Sequence, residues 1–130
     1  MDPDIRTALS HGHTIDITTT GRRTNEPRRI EIVFHVFEGR LYISGKPSSR
    51  TRAWIHNLQA DPRLIVHLKG PDVVADLPAT ARIIDDVAER REVLTKVAQV
   101  WRRTDVDEMV AHAPLIEVIV PGYGAAASAA

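Results

Sequence analysis

Residues 18–58 read TTTGRRTNEPRRIEIVFHVFEGRLYISGKPSSRTRAWIHNL, and the middle of this segment sets the fold class. Residues 28–37 alternate between two faces, as β-strands do, and one face is apolar: Ile30, Ile32, Phe34 and Val36. Glu38 and Gly39 then turn the chain into LYISG, so these two strands are expected to pair as a hairpin. The segment therefore predicts antiparallel β-structure.

The rest of the chain adds four strands and four helices. Strands are predicted over 13–20, 63–70, 73–86 and 115–120, the third of them broken at Pro78, which only an edge or a bulge tolerates. Helices are predicted from Asp2 to before Gly12, over about 50–59 after a Ser48-Ser49 N-cap, over 86–103, and from a capping box at 104–107 to about 112. The 86–103 helix has one apolar stripe: Val87, Leu94, Val97, Ala98 and Trp101. This order predicts a mainly β fold, an antiparallel barrel or sheet with peripheral helices.

Composition limits the class of protein. The 130 residues fit one domain, which we place at 1–121, and the low-complexity residues 122–130 are predicted to be a disordered tail. The absence of cysteine excludes disulfides and thiol catalysis. No segment approaches the roughly 18 consecutive apolar residues of a membrane span, and residues 1–13 lack the apolar run of a secretory signal. A cytoplasmic protein is expected.

Positive charge is concentrated in residues 22–52. This segment holds eight Lys or Arg against three Glu, a net charge of +5 in a chain whose formal net charge is zero. A local cationic surface on a neutral protein predicts a defined anionic ligand, because guanidinium groups bind phosphate and carboxylate bidentately. The alternative is a solvated edge strand whose charges oppose aggregation. Nucleic acid is not expected, since no exposed aromatic residues interleave with the basic ones.

Three motifs occur together over residues 18–68: TTTGRRTNEPRR, EGRLYISG and KPSSRTRAWIHNLQADPR. Their joint pattern resembles the deazaflavin-dependent nitroreductase family, which consists of split β-barrel flavin or deazaflavin oxidoreductases. The resemblance implies an antiparallel split β-barrel of the FMN-binding type and binding of 8-hydroxy-5-deazaflavin (coenzyme F-420), whose phosphate and oligoglutamate tail are anionic. It also implies hydride transfer from the reduced cofactor to a small electrophilic acceptor, which is a quinone, an enone or a nitro compound.

The resemblance further assigns cofactor contacts to twelve residues. Six belong to the loop and first long strand and are expected to bind the anionic tail and line the groove: Arg22, Arg23, Thr24, Arg28, Arg29 and Ile30. The hairpin end is expected to meet the ring and linker, and the next helix adds three contacts: Ser44, Gly45, Lys46, Ala53, Trp54 and Asn57. Trp101 is expected on the acceptor side of the ring, with core packing as the alternative. No catalytic residue is predicted.

Three positions depart from the family pattern. Asn25 replaces a glycine, although asparagine also tolerates a left-handed turn. Pro47-Ser48-Ser49 narrows the loop after Lys46, and Glu31 stands where the family often has a proline. These changes affect how the ring and the neighbouring residues are placed.

Two other functions stay open from the sequence. The same barrel with FMN would use the cationic strand for a single phosphate, and a non-catalytic module would carry the cofactor or a lipid-like ligand. A homodimer is expected, because both faces of the 28–37 strand carry apolar groups. The six histidines lack the spacing of a metal site, so no metal is expected.

Overall fold

The computed structural model describes residues 1–123. Six antiparallel strands form a closed barrel in the order β1-β2-β3-β6-β5-β4. The strands are β1 (Thr14–Thr20), β2 (Pro27–Phe37), β3 (Arg40–Ser44), β4 (Arg63–Lys69), β5 (Val74–Ile83) and β6 (Leu115–Ile119). Four helices lie between them: α1 (Pro3–Leu9), α2 (Ala53–Ala60), α3 (Val87–Trp101) and α4 (Val106–His112). The predicted split β-barrel with peripheral helices is confirmed.

The two longest strands are each shared between two partners. In β2, residues 27–33 pair with β1 and residues 34–37 pair with β3. In β5, residues 74–80 pair with β4 and residues 80–83 pair with β6. These two strands therefore connect the β1–β4 side of the barrel to the β3–β6 side.

The barrel interior is filled by the apolar face of each strand. The most deeply buried strand residues are at most 2% exposed: Ile15, Ile17, Phe34, Ile43, Val66, Leu68 and Ile116. Leu9 of α1 and Leu58 of α2 belong to the same cluster, so both helices are held by the barrel core. Burying one such side chain contributes about 1.5–3 kcal/mol.

A second core joins α3 and α4 to the outside of the barrel. Tyr42 and Leu115 point away from the interior and pack against the buried stripe of α3 and against α4: Val93, Leu94, Val97, Ala98, Met109 and Val110. The predicted stripe is wrong at its first position, since Val87 is 63% exposed. Val87 is the first residue of α3, and the buried part of the helix begins only at Val93.

Pro78 does not break β5, contrary to the prediction of a broken strand. The strand runs without interruption from Val74 to Ile83, and Pro78 stands opposite Ile65 of β4. Pairing with β6 begins only at Thr80, so Pro78 lies where β5 has one neighbour. A missing N–H donor is tolerated at such an edge position, as the sequence analysis expected.

Two predicted helix caps are wrong. Helix α2 begins at Ala53, and its N-cap residue is Arg52, which makes no side-chain cap bond. The Ser48 hydroxyl instead accepts the N–H of Arg50 (3.2 Å). The capping box predicted at 104–107 does not form either: the N-cap of α4 is Asp105 and not Thr104, and its carboxylate accepts from the Arg103 guanidinium (2.8 Å) in place of a cap bond. Two helices do have side-chain N-caps: Asp2 accepts the N–H groups of Asp4 (2.8 Å) and Ile5 (3.3 Å) in α1, and Asp86 accepts the N–H of Glu89 (2.9 Å) in α3.

The C-terminal boundary lies later than predicted. Gly122 accepts a hydrogen bond from Arg6 (2.9 Å), and Tyr123 is 7% exposed and packs in the barrel core. An aromatic ring that α1 covers is fixed in place, so these two residues belong to the folded part and not to the predicted tail. Residues 124–130 of that tail lie outside the described residues. No helix within 1–123 is long and apolar enough to span a membrane.

Candidate functional site

A cleft of about 510 Å³ lies between the β1–β2 loop and α2, and we call it the cationic cleft. Nine of the twelve predicted cofactor residues line it: Arg22, Arg23, Thr24, Arg28, Arg29, Ile30, Ala53, Trp54 and Asn57. Thr19 and Gly21 also line it, and neither was among the predicted site residues. The volume is in the range of small-molecule and cofactor sites.

The β1–β2 loop is closed by its own backbone. Gly21 donates to the Glu26 carbonyl (2.8 Å), and Asn25 donates to the Gly21 carbonyl (2.8 Å). Asn25 adopts the left-handed conformation (φ 57°), which asparagine tolerates in place of the family glycine. A Cβ on Gly21 would lie 2.8 Å from the Thr24 hydroxyl oxygen and 3.1 Å from the Glu26 carbonyl oxygen, so a larger residue would displace the Thr24 side chain. This turn presents Arg22 and Arg23 at its tip.

Asn57 fixes the loop to α2. Its Oδ1 accepts the backbone N–H of Arg22 (3.1 Å), and its Nδ2 donates to the Thr19 hydroxyl (3.1 Å). The side chain is buried, and both of its polar atoms are used by the protein. Asn57 therefore holds the arginine loop in place through both ends of its amide.

The lining of the cationic cleft carries no carboxylate within the described part of the chain. Arg22 and Arg23 are exposed and form no ion pair with any residue of 1–123. Arg28 lies 3.9 Å from Glu26, and both side chains are more than half exposed, so this pair is weak. Three guanidinium groups are therefore available to an anion.

Arg29 differs from the other three arginines. Its Nε donates to Asp16 (2.8 Å), which also accepts from Lys69 (2.7 Å), and Lys69 is bound to Glu31 as well. The hydrogen bonds from Lys69 and then from Arg29 hold the pKa of Asp16 below its ordinary value. The charge of Arg29 is thus partly neutralised on the outer face of the sheet.

The other three predicted contacts lie outside the cationic cleft. Ser44 is buried and its hydroxyl donates to the Pro114 carbonyl (2.7 Å), so it has no free donor. Gly45 lies against Pro114 and Arg52, with a hypothetical Cβ 3.1 Å and 3.2 Å from their atoms. Lys46 is exposed, and its carbonyl accepts from Arg52 (2.7 Å). The structure does not bring these residues together with the other nine.

Trp101 lines neither this cleft nor the second one described below. Its ring packs edge-on against His35, with 5.2 Å between ring centroids, and belongs to the α3–α4 core. The predicted position on the acceptor side gains no support, because the last turn of α3 faces the barrel. Trp54 takes part in the core and in the site: its side chain is 8% exposed, packs in the barrel core and also lines the cationic cleft.

A second cleft of about 680 Å³ lies on the other face of α2, and we call it the second cleft. It is bounded by residues 48–52, the start of α3, and residues 107–115. Ala53, Trp54 and Asn57 face the cationic cleft, whereas Ile55 and Gln59 face the second cleft. The sequence does not predict this cleft, because its walls come from segments that are far apart in the chain.

Almost the whole chain matches one protein family. The family model described as F420H(2)-dependent quinone reductase matches residues 3–121. The chain belongs to this family. Membership confirms the predicted cofactor, coenzyme F-420, and the predicted chemistry, hydride transfer from its reduced form to an electrophilic acceptor. A comparison with curated proteins finds no match.

Solved structures agree with the family at the level of the fold. An F420 reductase superposes with a TM-score of 0.66 at 15% identity, covering 92% of this chain and 94% of that one. A conserved hypothetical protein from Mycobacterium tuberculosis gives 0.72 at 19% identity, covering 92% and 81%. A Clostridium acetobutylicum protein of the pyridoxinephosphate oxidase family, related to general stress protein 26 of B. subtilis, gives 0.65 at 12% identity, covering 90% and 81%. At these identities the similarity establishes the split-barrel fold alone.

The residues of the cationic cleft fit coenzyme F-420. Its phosphate and glutamate carboxylates need several cationic donors without competing acids, and Arg22, Arg23 and Arg28 meet that need. The runner-up, FMN, has one phosphate and would use fewer of these groups.

Proposed function

We propose that this protein reduces a quinone with hydride from coenzyme F-420 bound in the cationic cleft. The observation that carries the proposal is the convergence of Arg22, Arg23 and Arg28 on one cleft without a lining carboxylate. When bound, the reduced cofactor supplies a hydride, and a quinone that accepts it with one proton leaves as the hydroquinone. The description of the family supports a quinone in preference to an enone or a nitro compound.

Each part of the cleft has a separate role in this proposal. Arg22, Arg23 and Arg28 bind the anionic tail, and Arg29 contributes less because Asp16 already accepts from it. The hydroxyl of Thr24 and the side chains of Ile30, Ala53 and Trp54 form the walls. Asn57 keeps the loop in the binding conformation. Ser44, Gly45 and Lys46 stay predicted as the segment that meets the ring, the first of them through its backbone.

Titration of cofactor fluorescence tests the anchoring. We expect Arg22→Gln and Arg28→Gln each to raise the Kd for coenzyme F-420 about tenfold, which corresponds to about 1.4 kcal/mol, in the range for hydrogen bonds to charged groups at a partly solvated site. Added salt should weaken the wild-type complex more than either variant complex, because fewer charge contacts remain to be screened. Arg102→Gln is the matched control, since Arg102 is exposed and lines neither cleft.

Equal Kd values for all three variants would contradict the anchoring role. A parallel titration with FMN distinguishes the two cofactors. Tighter binding of FMN than of coenzyme F-420 would show that the cationic cleft is an FMN site. Tight cofactor binding without turnover of any quinone would select the non-catalytic carrier. The homodimer and the cytoplasmic location stay predictions, which light scattering and cell fractionation would check.

A further inference from the structure

The second cleft has an apolar floor. Ile55 of α2, Val110 of α4 and the segment after α4 supply it, and its deepest side chains are at most 8% exposed: Ile55, Val110, Ala113 and Leu115. No aromatic ring of Phe, Tyr or Trp lines it within the described residues. The floor is therefore aliphatic and the walls are mostly polar, so a flat ring can lie on the floor with its polar substituents toward the walls.

The rim of the second cleft carries more arginines than carboxylates, and some of these charges are already paired within the protein. Arg91 is bound to Asp107 (2.8 Å), so these two charges neutralise each other. Arg90 donates to four backbone carbonyls, those of Ile84, Met109, Val110 and Ala113, at 2.6–3.3 Å. Its donors are therefore spent on the α3–α4 junction and not on a ligand.

Arg50 and Arg52 are the cations of this rim with donors still available. Neither forms an ion pair with a residue of 1–123, and Asp85 is the one lining carboxylate there outside the Arg91 pair. Arg52 is held in place, because one of its Nη atoms donates to the Lys46 carbonyl (2.7 Å). A guanidinium fixed before binding loses less conformational entropy when an anion arrives.

The second cleft lies next to the segment that is predicted to meet the cofactor ring. Gly45 contacts both Arg52 and Pro114, and these two residues line the second cleft. Helix α2 is a common wall of both clefts, through Ala53 and Trp54 on one face and Ile55 on the other. A molecule in the second cleft therefore sits across α2 and the hairpin end from the anchored tail.

From the apolar floor and the free cations we infer that the second cleft binds the hydride acceptor and selects one that is flat and negatively charged. Arg50 and Arg52 are its specificity-determining residues, and they bind a carboxylate or sulfonate on the acceptor ring. This inference rests on the proposed quinone reductase function and specifies its substrate class. It predicts an acceptor with a charged substituent in place of a long lipid tail.

The kinetic test uses two acceptors that share one ring system, 1,4-naphthoquinone and 1,4-naphthoquinone-2-sulfonate. For each enzyme we take the ratio of kcat/KM for the sulfonate to kcat/KM for the neutral quinone. We expect Arg50→Gln to lower this ratio about fivefold, as loss of one partly solvated ion pair does, and Arg50→Lys to restore part of it. Arg102→Gln serves as the control for a change of net charge.

A binding test needs no turnover. Redox-inert anthraquinone-2-sulfonate is added to ¹⁵N-labelled cofactor-free protein, and we expect amide shifts at residues 110–115 that weaken in Arg50→Gln. Normal turnover with an unchanged ratio and no such shifts would overturn the inference while the proposed function stands. A rise in the Kd for coenzyme F-420 equal to the fall in the ratio would also overturn it, because the cleft would then serve the cofactor. Absence of cofactor binding in the wild type would instead overturn the proposed function.

Discussion

At the scale of single residues, Asn57 determines how the cationic cleft is built. The resemblance placed Asn57 among the cofactor contacts, but its amide joins the Arg22 backbone to Thr19 inside the protein. An asparagine can serve both partners because it offers an acceptor and a donor on one planar group. The arginine loop thus depends on a residue that lies more than thirty positions later in the chain.

We predict that Asn57→Ala weakens both the fold and the cofactor site. One buried and one partly buried hydrogen bond are lost and their partners are left unsatisfied, so the free energy of unfolding should fall by about 1–3 kcal/mol. The Kd for coenzyme F-420 should rise, because the loop no longer holds Arg22 in position. Urea denaturation and the fluorescence titration measure the two effects.

Gln59→Ala is the control for Asn57, since Gln59 is an exposed residue of the same helix. Asn57→Asp separates the two roles: it keeps the acceptor for Arg22 and loses the donor to Thr19. A variant with normal stability and a normal Kd would show that the loop is held by its own turn.

The sequence located nine lining residues because they belong to two local motifs, one in a closed turn and one at the start of a helix. It did not locate Arg50 and Arg52 in a second cleft, since that cleft needs the path of the loop from Gly45 to Ala53. The partners of that loop are His112, which accepts from the Ser48 N–H, and Pro114, which touches Gly45. No local pattern contains contacts of that range.

At the scale of secondary-structure elements, Arg90 joins α3 to α4. Its guanidinium donates to carbonyls in the last turn of α4 and beyond it, where helix carbonyls lack intrahelical partners. A cation at a helix C-terminus also interacts favourably with the helix dipole. Burial lowers the pKa of Arg90 from its ordinary value, yet an arginine stays charged in proteins.

We predict that Arg90→Lys lowers the free energy of unfolding by about 2–3 kcal/mol, because an ammonium cannot reach four carbonyls from one position. Arg91→Lys is the matched control on the next residue, where an exposed pair with Asp107 contributes about 0–1 kcal/mol. Thermal and urea denaturation of the two variants give the comparison. Equal losses in both would show that the carbonyl bonds of Arg90 do not hold the helix pair.

The sequence predicts a strand or helix well where the local alternation of apolar and polar residues determines it. It predicts the ends of these elements less well. The strand β2 follows directly from alternation over 28–37 and differs from the structure by its first residue, Pro27. The Ser48-Ser49 cap failed because the loop is fixed by tertiary contacts, so α2 starts four residues after Ser49. The capping box at 104–107 was wrong because α4 starts one residue later than the box requires, and the carboxylate of its N-cap Asp105 accepts from the charged Arg103 guanidinium.

At the scale of the whole molecule, His35 lies where the barrel meets the α3–α4 pair. Its ring stacks on Phe37 at 5.8 Å and meets Trp101 edge-on at 5.2 Å. His35 is 5% exposed, and its Nε2 finds no hydrogen-bond partner within the described residues. Desolvation lowers the pKa of His35 below its ordinary value of 6.5.

We predict that His35 makes the folded protein acid-sensitive. Above pH 6.5 the ring is neutral in both states; as the pH falls toward the lowered pKa, the unfolded state gains a proton that the folded state resists. The free energy of unfolding should therefore fall over this window. Urea denaturation at about pH 5 and about pH 7.5 measures it, and His35→Phe should reduce the difference between the two values.

Carboxylates change the free energy of unfolding over a separate, more acidic pH range. Hydrogen bonds from Arg63 lower the pKa of Asp61 to about 2, so the loss of that interaction belongs to lower pH. An Asp61→Asn variant should keep the wild-type difference between the two pH values. If His35→Phe kept it as well, the buried ring would not be its source.

The first part of β5, which pairs with β4 alone, bears on how the protein associates at high concentration. From Val74 to Ala79 the backbone has β4 on one side only, and a strand of another molecule finds a template there for growth into a cross-β fibre. Pro78 removes one N–H from that template, and the exposed carboxylate of Asp76 places charge beside it. Pro78, which interrupts the sequence pattern, therefore makes this edge a poorer template for pairing with a second molecule.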